Sequence, residues 1–242
     1  KVFRHLISKA TDTKWGAQHQ YAQIQTYHDF QQQVPVQTYE EVKPYVERMR
    51  QGESDVLWPG KVCWFAKSSG TTNDKSKFIP VSKDGLHDAH YAGGADCVAS
   101  YLRNNPQSRF FSGKGLILGG SHAPNYNLKN SLVGDLSAIL IQNVNPLVNF
   151  IRVPSKQIAL LSDFEEKVER IAHSTMNVNV TNISGVPSWM LAVLKRVLEV
   201  TGKTGLEEVW PNLEVFFHGG ISFAPYRDLY KQLIRSDKMH YV

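Results

Sequence analysis

The sequence predicts an α/β fold with mixed, largely parallel sheets flanked by helices. Three observations carry that expectation. Residues 178–183, residues 213–217 and the run from Met239 onward read as strands, and Pro187 and Pro225 open helical stretches between them, so the last third runs β-α-β-α-β. Such a series connects most naturally through right-handed crossovers between parallel strands. A polar loop at residues 68–76 separates two further strand-like runs, residues 62–67 and 78–81. The 242 residues are 42% apolar and 20% charged, which suits a globular domain with a sizeable core.

In chain order, the first sixty residues read as helical. Thr38 and Glu41 form a capping-box pattern, with Val42, Tyr45, Val46 and Met49 on one face. Pro44 suggests that this helix begins there, with proline in its first turn, and Gly52 reads as its stop. Ser82 is a cap for a helix reaching about Arg103. Leu116-Ile117-Leu118 reads as a short buried strand. Ser162 and Glu165 suggest a second capping box, opening a helix with Phe164, Val168 and Ile171 on one face. The helix opened by Pro187 has Met190, Leu191, Leu194, Val197 and Leu198 on its apolar face. No shift in composition marks an internal domain boundary.

Bulk properties exclude several classes. The formal charge is +5, but acidic and basic residues are interspersed, so no nucleic-acid stripe is indicated. Cys63 and Cys97 lack CxxC spacing, which fits a reduced cytoplasmic protein without a disulfide framework or zinc site. No run of 18 apolar residues or signal-peptide pattern occurs. The sequons at Asn179 and Asn182 fall in a run read as a buried strand. The chain begins at Lys1 and ends inside an apolar run, which suggests a piece of a longer protein.

Ligands of open parallel sheets bind beyond the carboxyl ends of the strands. Two such ends are Ser184-Gly185-Val186-Pro187-Ser188-Trp189 and His218-Gly219-Gly220-Ile221-Ser222-Phe223. Their glycines admit close backbone approach, and helix N-termini offer amides to anions. Ordinary strand-to-helix turns contain glycine too, so both readings stand. In residues 68–77, five hydroxyls, one glycine and two lysines could cradle phosphate, although a self-capped polar hairpin has the same composition. The Walker A spacing, a GxSxG elbow and metal-spaced histidines are all absent. Gly119-Gly120-Ser121-His122 follows a strand and could face a ligand.

Ser68-Ser69-Gly70-Thr71-Thr72, followed by Lys75-Ser76-Lys77, resembles the first phosphate-loop motif of the acyl-adenylate/firefly-luciferase superfamily. Further motifs narrow the likeness: Trp64-Phe65-Ala66-Lys67, Phe78-Ile79-Pro80-Val81-Ser82, Gly185-Val186-Pro187-Ser188-Trp189 and Phe216-Phe217-His218-Gly219-Gly220. With them, the chain is similar throughout to the auxin-responsive Gretchen Hagen three family, and closer to its bacterial branch than to the plant hormone-conjugating enzymes. The resemblance implies that residues 1–242 are part of the large N-terminal domain of an acyl-adenylate-forming enzyme. The rest of that domain and a small C-terminal domain would then be absent.

The resemblance also implies a two-step ligase reaction using ATP and Mg2+. A carboxylate attacks the α-phosphate, giving acyl-AMP and pyrophosphate; an amino acid amine then takes the acyl group and AMP leaves. Nucleotide-binding roles fall on Ser68, Ser69, Gly70, Thr71, Thr72, Lys75, His218, Gly219 and Gly220. Acyl-pocket roles fall on Val186, Pro187, Trp189, Phe223 and Tyr226. No catalytic side chain or metal ligand is identified, because the family's Tyr…Ser-Glu and ribose-binding aspartate motifs would come after Val242. Implied partners are small carboxylic acids and amino acids, with no nucleic acid or membrane. The same first step could serve an acyl-CoA ligase, and a nucleotide-binding or interaction module without turnover is a further alternative.

Overall fold

The computed structural model describes residues 1–68 and 76–242. Helices α1 (Val2–Ala10), α2 (Lys14–Gln18), α3 (Tyr27–Gln33) and α4 (Tyr39–Arg50) precede strands β1 (Trp64–Ser68) and β2 (Lys77–Val81). A π-wound segment, Gly85–Tyr91, leads into α5 (Ala92–Asn104). Next come β3 (Lys114–Ile117), β4 (Leu132–Gly134), α6 (Leu136–Asn143), β5 (Arg152–Val153) and α7 (Lys156–Ala159). The chain continues with α8 (Phe164–Thr175), β6 (Val180–Gly185), α9 (Pro187–Thr201), β7 (Val215–His218), α10 (Arg227–Leu233) and β8 (His240–Tyr241). Two compact units result: Lys1–Ala92 with Ala123–Leu136, and Gly93–His122 with Ser137–Val242. Both draw on separated stretches of similar composition, so composition gave no sign of the division.

In the first unit, β1 is central, antiparallel to β2 and parallel to β4. Phe65 and Val133 of this sheet join Val46, Met49, Val56 and Val62 in the core. Helix α4 starts at Tyr39, not at Pro44. The Thr38–Glu41 capping box is the reason: Glu41 Oε2 accepts from the Thr38 amide at 2.6 Å and from its hydroxyl at 2.7 Å. Pro44 lies inside the helix, where it removes the bond to the Glu40 carbonyl. Glu40 is exposed, so water can take that place. Ser82 caps the next helix as expected, its Oγ accepting from Gly85 N at 3.0 Å.

The second unit holds a five-stranded sheet, ordered β5-β3-β6-β7-β8, in which every pair is parallel. This matches the β-α-β-α-β expectation. In one row of the ladder Leu116, Ile183, Phe216 and Tyr241 stand side by side. Helix α9 covers that face with Met190, Leu191, Leu194, Val197 and Leu198, all buried. Arg196 of α9 forks onto Glu169 of α8, Nε at 2.6 Å and Nη2 at 3.0 Å. Its guanidinium pulls the Glu169 carboxyl down to about 2.

Three local expectations change. Helix α8 is capped by Asp163 rather than Ser162, the Asp163 carboxylate accepting from Glu166 N at 2.7 Å. Phe164 shares the stripe of Ile171 but, as the first residue of the helix, is 40% exposed. Asn179 precedes β6 and is exposed, while Asn182 lies in the strand and is buried. Cys63 and Cys97 are both free and exposed. No helix among the described residues is long and apolar enough to cross a membrane.

Trp210 is the largest fully buried side chain in this core, and its indole N–H donates to the Thr175 carbonyl at 3.0 Å. Removing the ring leaves a void and takes one of two donors from the Thr175 carbonyl, which keeps the Val178 amide at 2.9 Å. Trp210→Ala is therefore expected to lower the unfolding free energy by about 3–5 kcal/mol in urea denaturation. A loss below about 1 kcal/mol would show that the core closes around the gap.

Candidate functional site

The ladder between β6 and β7 ends with Ser184 opposite Phe217 and Gly185 opposite His218. Both strands therefore finish at one level, and their exit loops leave side by side at the carboxyl edge. Gly185 is required by close approach: a Cβ there would stand 3.1 Å from the Leu118 carbonyl oxygen. Gly220 is required by conformation, with φ at +83°, and a Cβ on it would meet Val186 Cγ2 at 3.2 Å. The two loops therefore pass close to one another at Val186 and Gly220.

Helix α9 begins in the first loop. Val186 is its N-cap and makes no side-chain cap bond, and Pro187 takes the first helical position. Proline suits that position because its missing N–H has no intrahelical partner there. The next amides are of the kind that helix N-termini offer to anions. Behind the loop, the buried Tyr230 hydroxyl donates to the Pro187 carbonyl at 2.8 Å. Burial pushes that hydroxyl's pKa well up, so it stays protonated and able to donate.

The second loop rests on an aromatic stack. The His218 ring lies over Phe223 with centroids 4.3 Å apart and planes 19° apart. Phe223 in turn stacks on Tyr241 at 5.0 Å. Burial, helped by Arg227, holds the His218 pKa below its ordinary value of 6.5.

The sequence candidates divide accordingly. Val186, Pro187, Trp189, His218, Gly219, Gly220, Phe223 and Tyr226 all belong to the second unit, on or beside these two loops. Gly219 and Gly220 are exposed, Val186, His218 and Tyr226 half-buried, and Trp189 is 39% exposed. Pro187 and Phe223 are buried, so they form the support behind the surface. Ser68 ends β1 in the first unit, paired with Lys77. Ser69, Gly70, Thr71, Thr72 and Lys75 lie outside the described residues.

Two residues escaped the sequence reading. Phe164 meets Trp189 ring to ring at 6.1 Å, forming an exposed aromatic pair at the starts of α8 and α9. Lys167 is buried beneath the turn after β3. The signal for it was a lysine within the helical stripe of Phe164, Ile171 and Thr175.

The chain matches the GH3 family N-terminal domain over residues 1–239 and belongs to that family. No curated protein sequence matches it. Among solved structures it is similar to a GH3.15 acyl acid amido synthetase at 15% identity and TM-score 0.75, covering 98% of this chain and 51% of that one. It is also similar to AtGH3.15 acyl acid amido synthetase in complex with 2,4-DB, at 15% identity and TM-score 0.80, with 98% and 50% covered. At that identity the likeness shows the fold, and the chain spans about half the length of these structures.

The low pKa of His218 gives a pH dependence with a definite sign. The unfolded chain binds this proton more tightly than the folded one, so stability falls as pH drops below 6.5. His218→Phe keeps an aromatic ring against Phe223 and removes the titration. Urea unfolding across this acidic range is expected to show a shallower pH slope for the variant; identical slopes would contradict the assignment.

Proposed function

We propose that this chain is part of an ATP-dependent acyl acid-amido synthetase. Such an enzyme joins a carboxylate oxygen to the α-phosphorus of ATP, releasing pyrophosphate, and then passes the acyl group to an amino acid amine, releasing AMP. The observation that carries the reading is the meeting of the 185–189 and 218–223 loops at the carboxyl edge of an all-parallel sheet in a GH3-family chain. The names of the similar structures support it, and the complex with 2,4-DB supports a small carboxylic acid as substrate.

The residues fit a nucleotide. Gly219 has open space where a side chain would stand, and exposed Gly220 turns the backbone outward beside it. The start of α9, uncapped by its own side chains, favours negative charge. Alignment and charge neutralisation, rather than a nucleophilic side chain, supply the catalysis in this chemistry. The resemblance also implies Mg2+, but the described residues include no group of three or more His, Cys, Asp or Glu that could hold it. The exposed free thiols support a reducing, cytoplasmic setting.

The test is to incubate the intact protein with ATP, a panel of carboxylic acids and hydroxylamine. Hydroxamate formation with stoichiometric pyrophosphate release is expected for at least one acid; neither product across a broad panel would overturn the reading. Amino acids compared with coenzyme A in the second step separate an amide synthetase from a thioester ligase. In the same assay Gly220→Val should reduce turnover by about tenfold or more, because a branched side chain is strained at that φ and collides with Val186. Unchanged turnover would remove Gly220 from the site.

A further inference from the structure

Arg152 is a buried guanidinium on β5, the edge strand of the sheet in the second unit. The residue is 4% exposed, and its Nε donates to Asn149 Oδ1 at 2.9 Å. Nη1 and Nη2 are buried and meet no acceptor among the described residues. Burial alone pulls the group's pKa down, with no carboxylate acting against it. In the ladder Arg152 stands opposite Gly115, which stands opposite Asn182. That row lies one residue before the row of Leu116 and Ile183, so its side chains point to the face that α9 does not cover. A Cβ on Gly115 would stand 2.5 Å from Asn182 Oδ1. The carboxamide oxygen therefore leans over Gly115, on the side of Asn182 that faces Arg152. Asn182 Nδ2 is engaged, donating to Thr181 Oγ1 at 3.1 Å, but no donor among the described residues is bonded to Oδ1.

Arginine does not shed its proton in a protein, so burial leaves the charge in place. Water can accept from the η nitrogens but leaves that charge uncompensated, and a buried ion without a counter-charge is costly. An anion supplies acceptors and charge together. Across Gly115 the need is the opposite, because a carboxamide oxygen only accepts and calls for a donor. Hydrogen phosphate meets both needs, with oxygens for the guanidinium and an O–H for the carboxamide. Sulfate has no proton to give at neutral pH. Strands two places apart lie about 10 Å from each other, near enough for one tetrahedral ion to touch both side chains. Burial of both η nitrogens suits a free ion better than a phosphoryl group on a larger molecule.

We propose that Arg152 and Asn182 hold a buried hydrogen phosphate ion, with the guanidinium as counter-charge and Asn182 Oδ1 accepting its O–H. This site is separate from the exit loops. Gly115 and Asn182 lie three residues before Leu118 and Gly185, about 10 Å back along their strands.

The test follows thermal melting of the intact protein in a buffer whose only anion is a bulky sulfonate, with phosphate or sulfate added at matched ionic strength. Phosphate should raise the melting point saturably, and sulfate at the same concentration should raise it less. Arg152→Gln is expected to weaken this phosphate response by about tenfold or more in concentration. Asn182→Ala should bring phosphate and sulfate to equal effect. A response unchanged in Arg152→Gln would place the ion elsewhere and overturn the proposal. No saturable rise in the unsubstituted protein, or equal curves for the two ions, would leave water as the partner and overturn it as well. So would a preference for phosphate retained in Asn182→Ala. Should Arg152→Gln fail to fold, Arg152→Lys decides, since it keeps the charge but not the planar fork. A tenfold loss of phosphate affinity with an unshifted melting point in the phosphate-free buffer supports the proposal, and an unchanged affinity overturns it.

Discussion

From Asn182 opposite Val215 to Gly185 opposite His218, β6 and β7 are joined in parallel, and β3 is joined to β6 in the same sense. Parallel pairing forces each return of the chain through a crossover, here the helices α9 and α10. The same constraint sends every strand's exit to one edge. The turn after Leu118, the start of α9 and the loop after His218 are neighbours for that reason. Burial on both faces then selects the side chains: β7 reads as the apolar run Val215-Phe216-Phe217, while β6 buries Thr181 and Asn182 among its apolar residues, the Thr181 hydroxyl donating to the Phe110 carbonyl at 2.6 Å.

The aromatic packing under the second loop serves the same arrangement. Phe216, Phe223, Tyr230 and Tyr241 contact one another in offset or edge geometries, with centroids between 5.0 and 6.2 Å. Such rings have few rotamers and fill space densely, so the backbone above them has little room to shift. Tyr230 also reaches out of this group to the Pro187 carbonyl, coupling the floor beneath one loop to the first turn of the other.

Much of this was legible in the sequence where local chemistry and tertiary packing agree. The α9 stripe, the Thr38–Glu41 box and the three strands of the last third all carried their own signals. The exit loops were legible through their glycines and Pro187. Other features had no local signature. Strands β4 and β5 are three and two residues long and exist only because β1 and β3 pair with them. Asp163 displaced Ser162 as a cap because either oxygen can take that place, and only the packing of α8 settles where the helix begins. The burial of Phe223 and the exposure of Phe164 depend on what lies opposite each ring, which spacing along the chain does not encode. The π-wound turn at Gly85–Tyr91 likewise has no pattern that distinguishes it from α-helix.

The interleaving of the two units bears on the order in which they can form. Strand β1 pairs with β2 nearby, but its parallel partner β4 comes only after α5 and β3 have been made. As the chain emerges from the ribosome, the first unit lacks one side of its central strand until Gly134 has appeared. By then β3 is present too, while its partners β5 and β6 are not. Simple N-to-C folding, one finished unit after another, is closed to this topology. Long-range strand pairing is slow to close and leaves edges open meanwhile, so the interval between β2 and β6 is when the nascent chain is most exposed to mispairing.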